Sequence, residues 1–561
     1  MSDSVLRGVL ISDFNIANLA SHLANDSETP VVEAVVAPFG RAIPVLMGGD
    51  PEIWRGDPYF AVVWTRPEGV IESFHRYARH EMESVETVLR EVDAYAALLV
   101  RVAERVRTVF APLWTPSSLR RGLGMLDLRP GVGLAHLLLQ MNLRLAQGCA
   151  GRSNLFLLDA ERWLVTAGRS AFNPTLWYMA KIPFGPEVFK EASRDIKAAL
   201  RGLTGQARKL IILDLDETLW GGIVGEVGWS HLRVGGHDPV GEAYVDFQRE
   251  LKALRRRGLL LALVSKNDEA VALEALRTHP EMVLRTEDFV GWRINWEDKA
   301  LNVADLVAGL NLGLASAVFI DDHPIERARV REALPEVLVP EWPEDPALFA
   351  HALLSLRCFD VPALSREDAA RTELYAAERH RQELGTKVGS VQEWLHSLGI
   401  RVIVEELNAG NLARTVQLLN KTNQMNLATR RLTEPELLAW TGAGCRKLWT
   451  FRVADKYGDA GLTGILGIEA GDDGVAITDF VLSCRVMGRK VEETILSIAV
   501  EHARSLGLPR VIARYVPTQR NRPCLQFFMQ SGFRQEDPET FVWSTTEDYP
   551  TPACILVERR S

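Results

Sequence analysis

One short segment constrains this chain more than any other. Lys209–Leu213 is an apolar run of strand length, and it stops on Asp214-Leu215-Asp216-Glu217-Thr218, where carboxylates alternate with apolar side chains. A parallel α/β sheet places its ligand crevice beyond the carboxyl ends of its strands, so acids at that position face a binding site. Three further segments repeat the arrangement in order. Leu259–Val264 reads as a strand and is followed by Ser265-Lys266-Asn267; Lys299 precedes a helical stretch, Leu301–Leu310; the strand Ala317–Ile320 runs into Asp321-Asp322-His323. Helical periodicity over Val240–Arg256 and Asp268–Thr278 fills the intervals, which makes 205–345 a doubly wound parallel sheet.

The residue types at these strand ends suit phosphoryl transfer, which needs positioning, a metal and cations around spread negative charge. Asp214 at a strand tip reads as a nucleophile, and Asp216 on the following loop as general acid and base. Carboxylates at 214, 216, 321 and 322 suit Mg²⁺, a hard ion that takes oxygen ligands. A lone D-x-D-x-T also reads as a solvated turn or helix cap; four segments in order carry the site reading.

These four segments resemble, residue by residue, the four motifs of the haloacid dehalogenase (HAD) superfamily. The resemblance implies that Asp214 forms an aspartyl-phosphate, that Asp216 is acid and base, that Ser265 and Lys299 hold the phosphoryl group, and that Asp321 and Asp322 hold Mg²⁺ together with Asp214 and Asp216. Thr218, Lys266 and Asn267 are expected substrate contacts within the same motifs. Only about 20 residues separate Thr218 from the next helix, too few for a large cap, so a capless domain is expected, with access shaped by neighbouring domains or by Gly221–Gly225 as a flap.

The longer string Asp214–Gly225, DLDETLWGGIVG, looks like a narrower group, the FkbH-like proteins of polyketide biosynthesis. Lys421–Arg431, Asp455–Asp459 and Ser483–Arg489 are similar to further signatures of that group. The resemblance implies transfer of a glyceryl unit from D-1,3-bisphosphoglycerate, or a related acyl phosphate, through an enzyme thioester to the phosphopantetheine arm of a holo acyl carrier protein, with dephosphorylation. A thioester needs a cysteine. Cys484 is the candidate, beside Arg485 and Arg489, cations that would lower a thiol pKa and attract phosphate. The other reading of Cys484 is a buried small hydrophobe at a strand end. Asn423 and Asn426 are candidate contacts to a glyceryl or pantetheine group, or else helix caps. Cys445 reads as a loop residue, and His502 as a surface or core histidine.

Outside the central region the reading is coarser. Residues 1–200 carry strands at Val5–Ile11, Tyr59–Thr65 and Asn154–Leu158 and helical stretches at Ser73–Val109 and Leu134–Gln147, an α/β pattern. Ser12-Asp13-Phe14-Asn15 sits where SGNH hydrolases carry G-D-S-L, with Phe14 in the place of the nucleophilic serine, so an inactive SGNH-like domain is expected. Residues 346–384 are expected as a linker and a charged helix (Arg366–Leu384). The remainder, 385–561, reads as α+β, with strands at Arg401–Leu407, Leu448–Val453, Thr463–Glu469 and Val475–Leu482. There Arg485–Lys490 resembles the R-x-x-G-x-G/A anion loop of GNAT acyltransferases, with Lys490 in place of the final small residue.

Composition excludes some classes. The charge is 64 − 73 = −9, against a general nucleic-acid binder. No run of about 18 apolar residues exists, so no membrane span is expected. Six scattered cysteines without a C-x-x-C pair fit a reducing cytosol. Two other functions compete with carrier loading: a plain Mg²⁺-dependent small-molecule phosphatase, and a non-catalytic carrier-protein scaffold with a relic HAD site.

Overall fold

The computed structural model describes residues 5–81, 83–116, 121–236, 238–363, 391–518 and 520–560. The charged helix expected over Arg366–Leu384 lies outside the described residues. The chain divides into two compact units, Met1–Arg201 and Gly202–Ser561.

The first unit is built on five parallel strands: β1 (Leu6–Ile11), β2 (Val32–Val36), β3 (Phe60–Val63), β4 (Thr108–Pro112) and β5 (Leu155–Leu158), in the order β2-β1-β3-β4-β5. β3 and β4 are buried at every position, as in a sheet covered on both faces. The expected helix over Ser73–Val109 is instead two helices, Glu72–Tyr77 and Val85–Ala103, followed by the start of β4. Ser84 starts the second helix by accepting a hydrogen bond from Thr87 N (3.1 Å). Doubly wound folds of several kinds share this strand order. It establishes an α/β domain and does not single out the SGNH type. Phe14 is a core residue, 2% exposed and packed edge-on against Trp64 and Phe184. Ser12 is buried, with its Oγ accepting from Phe14 N (3.1 Å), and Asp13 is held by Arg66 (2.8 Å).

The second unit begins with four parallel strands: β6 (Leu210–Leu213), β7 (Leu260–Ser265), β8 (Phe289–Ile294) and β9 (Ala317–Ile320), in the order β8-β7-β6-β9. The four side chains of β6 are fully buried, a gross gain of roughly 6–12 kcal/mol at about 1.5–3 kcal/mol each. That burial fixes the register, with Leu213 opposite both Leu263 and Ile320. A slip by one residue would turn Asp214 to the wrong face. Helices Pro239–Arg256, Glu269–Thr278 and Lys299–Gly309 are each started by an aspartate, Asp238, Asp268 and Asp298, whose carboxylates accept from first-turn N–H groups.

The same unit continues into a mixed sheet of β10 (Ile400–Glu406), β11 (Met425–Asn426), β12 (Arg446–Asp455), β13 (Gly458–Gly471), β14 (Gly474–Leu482), β15 (Arg510–Arg514), β16 (Arg534–Asp537), β17 (Thr540–Ser544) and β18 (Ile555–Arg560). Its centre, β10-β12-β13-β14, is antiparallel, while β14 pairs with β15 and β10 with β18 in parallel. The helix Val491–Ser505 packs on this sheet through Val491, Ile495, Leu496 and Ala499. No helix among the described residues is long and apolar enough to cross a membrane.

Candidate active site

The carboxyl ends of β6, β7 and β9 and the start of the helix after β8 converge. Lys299 Nζ lies 2.9 Å from Asp214 Oδ2 and 2.6 Å from Asp321 Oδ2, and all three side chains are at most 9% exposed. Burial works against the Lys299 charge, but the Asp214 and Asp321 carboxylates outweigh it and raise its pKa. Asp322 is fixed by Thr218, whose hydroxyl donates to Asp322 Oδ1 (3.0 Å) and accepts from Asp322 N (3.2 Å). Arg327 Nη1 donates to the Asp321 and Asp322 carbonyls (2.8 and 2.6 Å), which holds the turn that presents both acids.

Asp214, Asp321 and Asp322 each offer an oxygen within 4.8 Å of the others. Three carboxylates against one ammonium leave a charge of −2. At that spacing each like-charged pair repels by at least about 3.5 kcal/mol at an effective dielectric near 20. Burial first, and the Asp214 charge second, raise the pKa of Asp321 and of Asp322. Asp214 Oδ1 is buried and has no hydrogen-bond partner. An orphaned carboxylate oxygen, a −2 excess and an all-oxygen donor set fit a Mg²⁺ ion.

The Asp216 carboxylate stands apart from this group. Its Oδ1 accepts from Trp220 Nε1 (2.8 Å) and Val224 N (3.0 Å), and its Oδ2 from Asn267 Nδ2 (2.8 Å). The glycine-rich segment curls back here, with Gly222 at φ +100°, and delivers the Val224 N–H to the carboxylate. Burial raises the Asp216 pKa, opposed by these three donors and assisted by the Asp214 charge. A carboxyl poised to hold a proton beside a nucleophilic carboxylate is what a leaving oxygen requires.

The chain is similar to the crystal structure of the N-terminal part of the protein BF1531 from Bacteroides fragilis, which contains a phosphatase domain complexed with Mg. Identity is 26% and the TM-score 0.58, over 64% of this chain and 95% of that one. The central sheet is a HAD-superfamily phosphatase-like domain. Its Asp214, Asp321 and Asp322 form the aspartate triad of a Mg²⁺-dependent HAD site. Two acetyltransferases each match about a quarter of the chain. One is a GNAT-family enzyme from Staphylococcus aureus Mu50 (10% identity, 26% of this chain and 99% of that one, TM-score 0.21); the other is spermidine/spermine N-acetyltransferase SpeG from Vibrio cholerae in complex with manganese ions (14% identity, 27% and 95%, TM-score 0.20). Likenesses of that score carry no argument. No family model matches the chain, and no curated protein does.

Several expected contacts serve other purposes. Thr218 has its hydroxyl on Asp322. Lys266 pairs with Glu326 (2.6 Å) at the surface. Asn267 is buried and holds Asp216, also reaching Ser265 Oγ (3.3 Å). His323 caps the helix Pro324–Ala333, its N–H donating to Asp321 Oδ1 (2.8 Å), and its side chain is exposed. Arg489 is buried against Asp455 (3.3 Å) and donates to the Arg485 carbonyl, so it braces the turn from inside rather than facing a ligand. Asn426 caps a turn through Thr429 N (2.8 Å) and Thr422 O (3.0 Å). His502 is half-buried against Trp449. In the Arg485–Lys490 loop the Gly488 N–H already has a partner, donating to Glu492 Oε1 (2.7 Å), a carboxyl whose pKa burial pushes up to about 7.

Cys484 lies in a short 3₁₀ turn after β14, half-buried and not in a disulfide. It lines a cavity of about 360 Å³ together with Lys209, Ser316, Lys421, Asn423 and Arg485. Asn423 itself is spoken for, donating to Gly205 O (3.0 Å) and accepting from Arg431. Lys209 precedes β6 and Ser316 precedes β9, so this cavity is at the amino end of the sheet whose carboxyl end carries Asp214. Five residue-to-residue steps along β6 lead from Lys209 to Asp214, about 17 Å at about 3.3 Å per step. The two candidate centres do not share a pocket.

Proposed function

We propose that the chain loads a glyceryl unit from D-1,3-bisphosphoglycerate onto an acyl carrier protein and removes the remaining phosphate at Asp214. The observation that carries the phosphate half is the buried Asp214–Lys299–Asp321 bridge with Asp214 Oδ1 left unpartnered. The acyl half rests on the FkbH-like signatures and on the basic surroundings of Cys484.

The Cys484 thiolate attacks the acyl carbon of the acyl phosphate. A C–S bond forms, the C–O bond to phosphate breaks, phosphate leaves with the electron pair, and the thiol proton passes to solvent. The pantetheine thiol then takes the acyl group, and Cys484 leaves as thiolate. Because the two centres lie at opposite ends of one sheet, the phosphoglyceryl group travels to Asp214 on the carrier's arm. Asp214 attacks phosphorus while Asp216 gives its proton to the leaving glyceryl oxygen. Asp216 next takes a proton from the water that hydrolyses the aspartyl-phosphate, and phosphate is released. Mg²⁺ held by Asp214, Asp321 and Asp322 supplies charge neutralisation for phosphoryl oxygens. Lys299 holds Asp214 in place through their 2.9 Å contact, and Ser265 offers a hydroxyl to a phosphoryl oxygen.

Incubation with D-1,3-bisphosphoglycerate and holo carrier protein, followed by intact mass, tests the reading. Wild type gives glyceryl carrier. Asp214→Asn gives carrier that retains one phosphate, and Cys484→Ala gives no acyl adduct on enzyme or carrier. Phosphate release from small esters with no adduct on any thiol would leave a plain phosphatase.

A further inference from the structure

Glu217 holds a backbone conformation that its residue type does not favour. The chain leaves Asp214 through a tight turn, in which Thr218 N and Leu219 N both donate to the Leu215 carbonyl (3.1 and 2.8 Å), and Glu217 sits within it at φ +54°. Glycine takes positive φ freely, and asparagine and aspartate more readily than most; glutamate has no such allowance. Strain of this kind persists beside a reacting group where the surroundings over-determine it. The Glu217 side chain is exposed, so packing is not what holds it. Nor does its charge suit the substrate, because a further carboxylate beside a centre already at −2 repels a phosphate.

The carboxylate instead ties two elements together. Its Oε1 accepts from Gly222 N (2.7 Å), and its Oε2 from the Tyr244 hydroxyl (3.2 Å), which has the Glu217 carbonyl as a second acceptor at 3.3 Å. Tyr244 belongs to the helix Pro239–Arg256 and is 1% exposed, a fixed post in the core. Burial first, and the Glu217 charge second, raise its pKa, so the phenol keeps the proton it donates. Gly222 lies in a stretch, Gly221–Gly225, with three glycines in five residues and correspondingly wide backbone freedom. On one side that stretch is pinned where Gly221 and Arg233 exchange backbone hydrogen bonds (3.2 and 2.9 Å). On the other, Val224 is buried and its N–H donates to Asp216 Oδ1 (3.0 Å). Glu217 fastens the backbone between those two points.

We propose that Glu217 is a positioning residue of the phosphoryl-transfer centre. Its carboxylate holds Gly222, and through Gly222 it keeps the Val224 N–H on Asp216, so that Asp216 stays aimed at the leaving oxygen. In the step concerned Asp214 forms the new P–O bond, the bond to the leaving oxygen breaks, and Asp216 hands that oxygen its proton. The catalytic half rests on the reading of Asp216 as proton donor given above; the tie from Glu217 to Gly222 does not.

The test compares two variants of the full chain in Mg²⁺. Glu217→Gly relieves the positive φ and removes the carboxylate; Glu217→Gln keeps an acceptor for Gly222. Thermal melts show that both are folded. Hydrogen exchange read by mass spectrometry scores the tie with no substrate present. A peptide spanning 220–226 exchanges at least about tenfold faster in Glu217→Gly, and near the wild-type rate in Glu217→Gln. Turnover scores the catalytic half through kcat/KM, the transition-state stabilisation relative to free enzyme and substrate. For 3-phosphoglycerate, whose alkoxide needs a proton to leave, kcat/KM falls about ten- to a hundredfold in Glu217→Gly, as loss of a hydrogen bond to a charged group implies. For p-nitrophenyl phosphate, whose phenolate leaves without one, it changes by less than about threefold. Glu217→Gln recovers most of the rate that Glu217→Gly loses. Unchanged exchange in Glu217→Gly overturns the tie. Faster exchange with both esters slowed alike, or with neither slowed, overturns the positioning role. A wild type that releases phosphate from neither ester removes the phosphatase reading and the catalytic role with it, while exchange still decides the tie.

Discussion

Replacing Lys299 by methionine removes one charge and little volume from the most crowded part of the molecule. Lys299 Nζ is 2.9 Å from Asp214 and 2.6 Å from Asp321, an attraction of about 6 kcal/mol to each at an effective dielectric near 20. Much of that is already offset by the desolvation of the three groups, so the net cost is that of breaking a buried pair, about 3–5 kcal/mol. The unit Gly202–Ser561 has 561 − 202 + 1 = 360 residues. At about 2.1 cal/mol/K per residue its unfolding entropy is roughly 0.76 kcal/mol/K, so a single transition falls by about 4–7 °C. The deficit depends on pH. Asp321 has a folded pKa raised above its unfolded value, to about 6, so its contribution favours the folded state below pH 4 and is lost as pH rises through about 6. Without Lys299 that pKa rises further, and the variant loses more stability at pH 8 than at pH 5. Calorimetry of both proteins in EDTA at the two pH values measures this, and Mg²⁺ should restore part of the loss by binding the excess negative charge. Phosphatase turnover should fall by about 10²–10³. An unchanged melting temperature at pH 8, or a larger deficit at pH 5, would refute the reasoning.

Two further substitutions separate holding residues from reacting ones. Asn267→Ala removes a hydrogen bond to Asp216 at 2.8 Å that favours its ionised form, so kcat for a phosphate ester should fall about ten- to a hundredfold with little change in KM. The limb of the pH profile set by Asp216 should also move to higher pH, because the Asp216 pKa, already raised, rises again; a limb at the same pH would place Asn267 outside the acid–base machinery. Arg489→Met breaks a pair with Asp455 whose side chains are 3% and 2% exposed, and should cost about 3–5 kcal/mol of stability in thermal or denaturant unfolding. Full stability combined with weakened binding of phosphate esters would return Arg489 to the ligand-binding role that its sequence context suggested.

The magnesium centre was legible because every one of its residues follows a buried strand or opens a helix, a placement that composition and order reveal. Asp214, Ser265, Lys299, Asp321 and Asp322 therefore sit where the pattern puts them. What the pattern could not reveal is which of two polar groups in contact faces the ligand. Thr218 and Asn267 spend their hydrogen bonds on Asp322 and Asp216, and Arg489 points inward to Asp455. Trp220 and Arg327 escaped notice, although each was within reach of a sequence argument: Trp220 is four residues past Asp216 in a turn, and Arg327 is one helical turn past the acid pair. β2, β4, β8, β15 and β18 are absent from the strands the sequence suggests, β8 because Gly291 and Arg293 interrupt its apolar run. The cavity beside Cys484 was beyond reach, since Lys209, Ser316 and Lys421 are far apart in the chain and meet only through folding.

The claim on which the rest depends is that Asp214 is the nucleophile of a Mg²⁺-dependent phosphoryl-transfer centre. Phosphate release from a phosphate ester, measured for wild type and Asp214→Asn with Mg²⁺ and with EDTA, tests it most directly. The account predicts release by wild type that EDTA stops and Mg²⁺ restores, and none by Asp214→Asn under either condition. Release that survives EDTA, or that persists in Asp214→Asn, would contradict it.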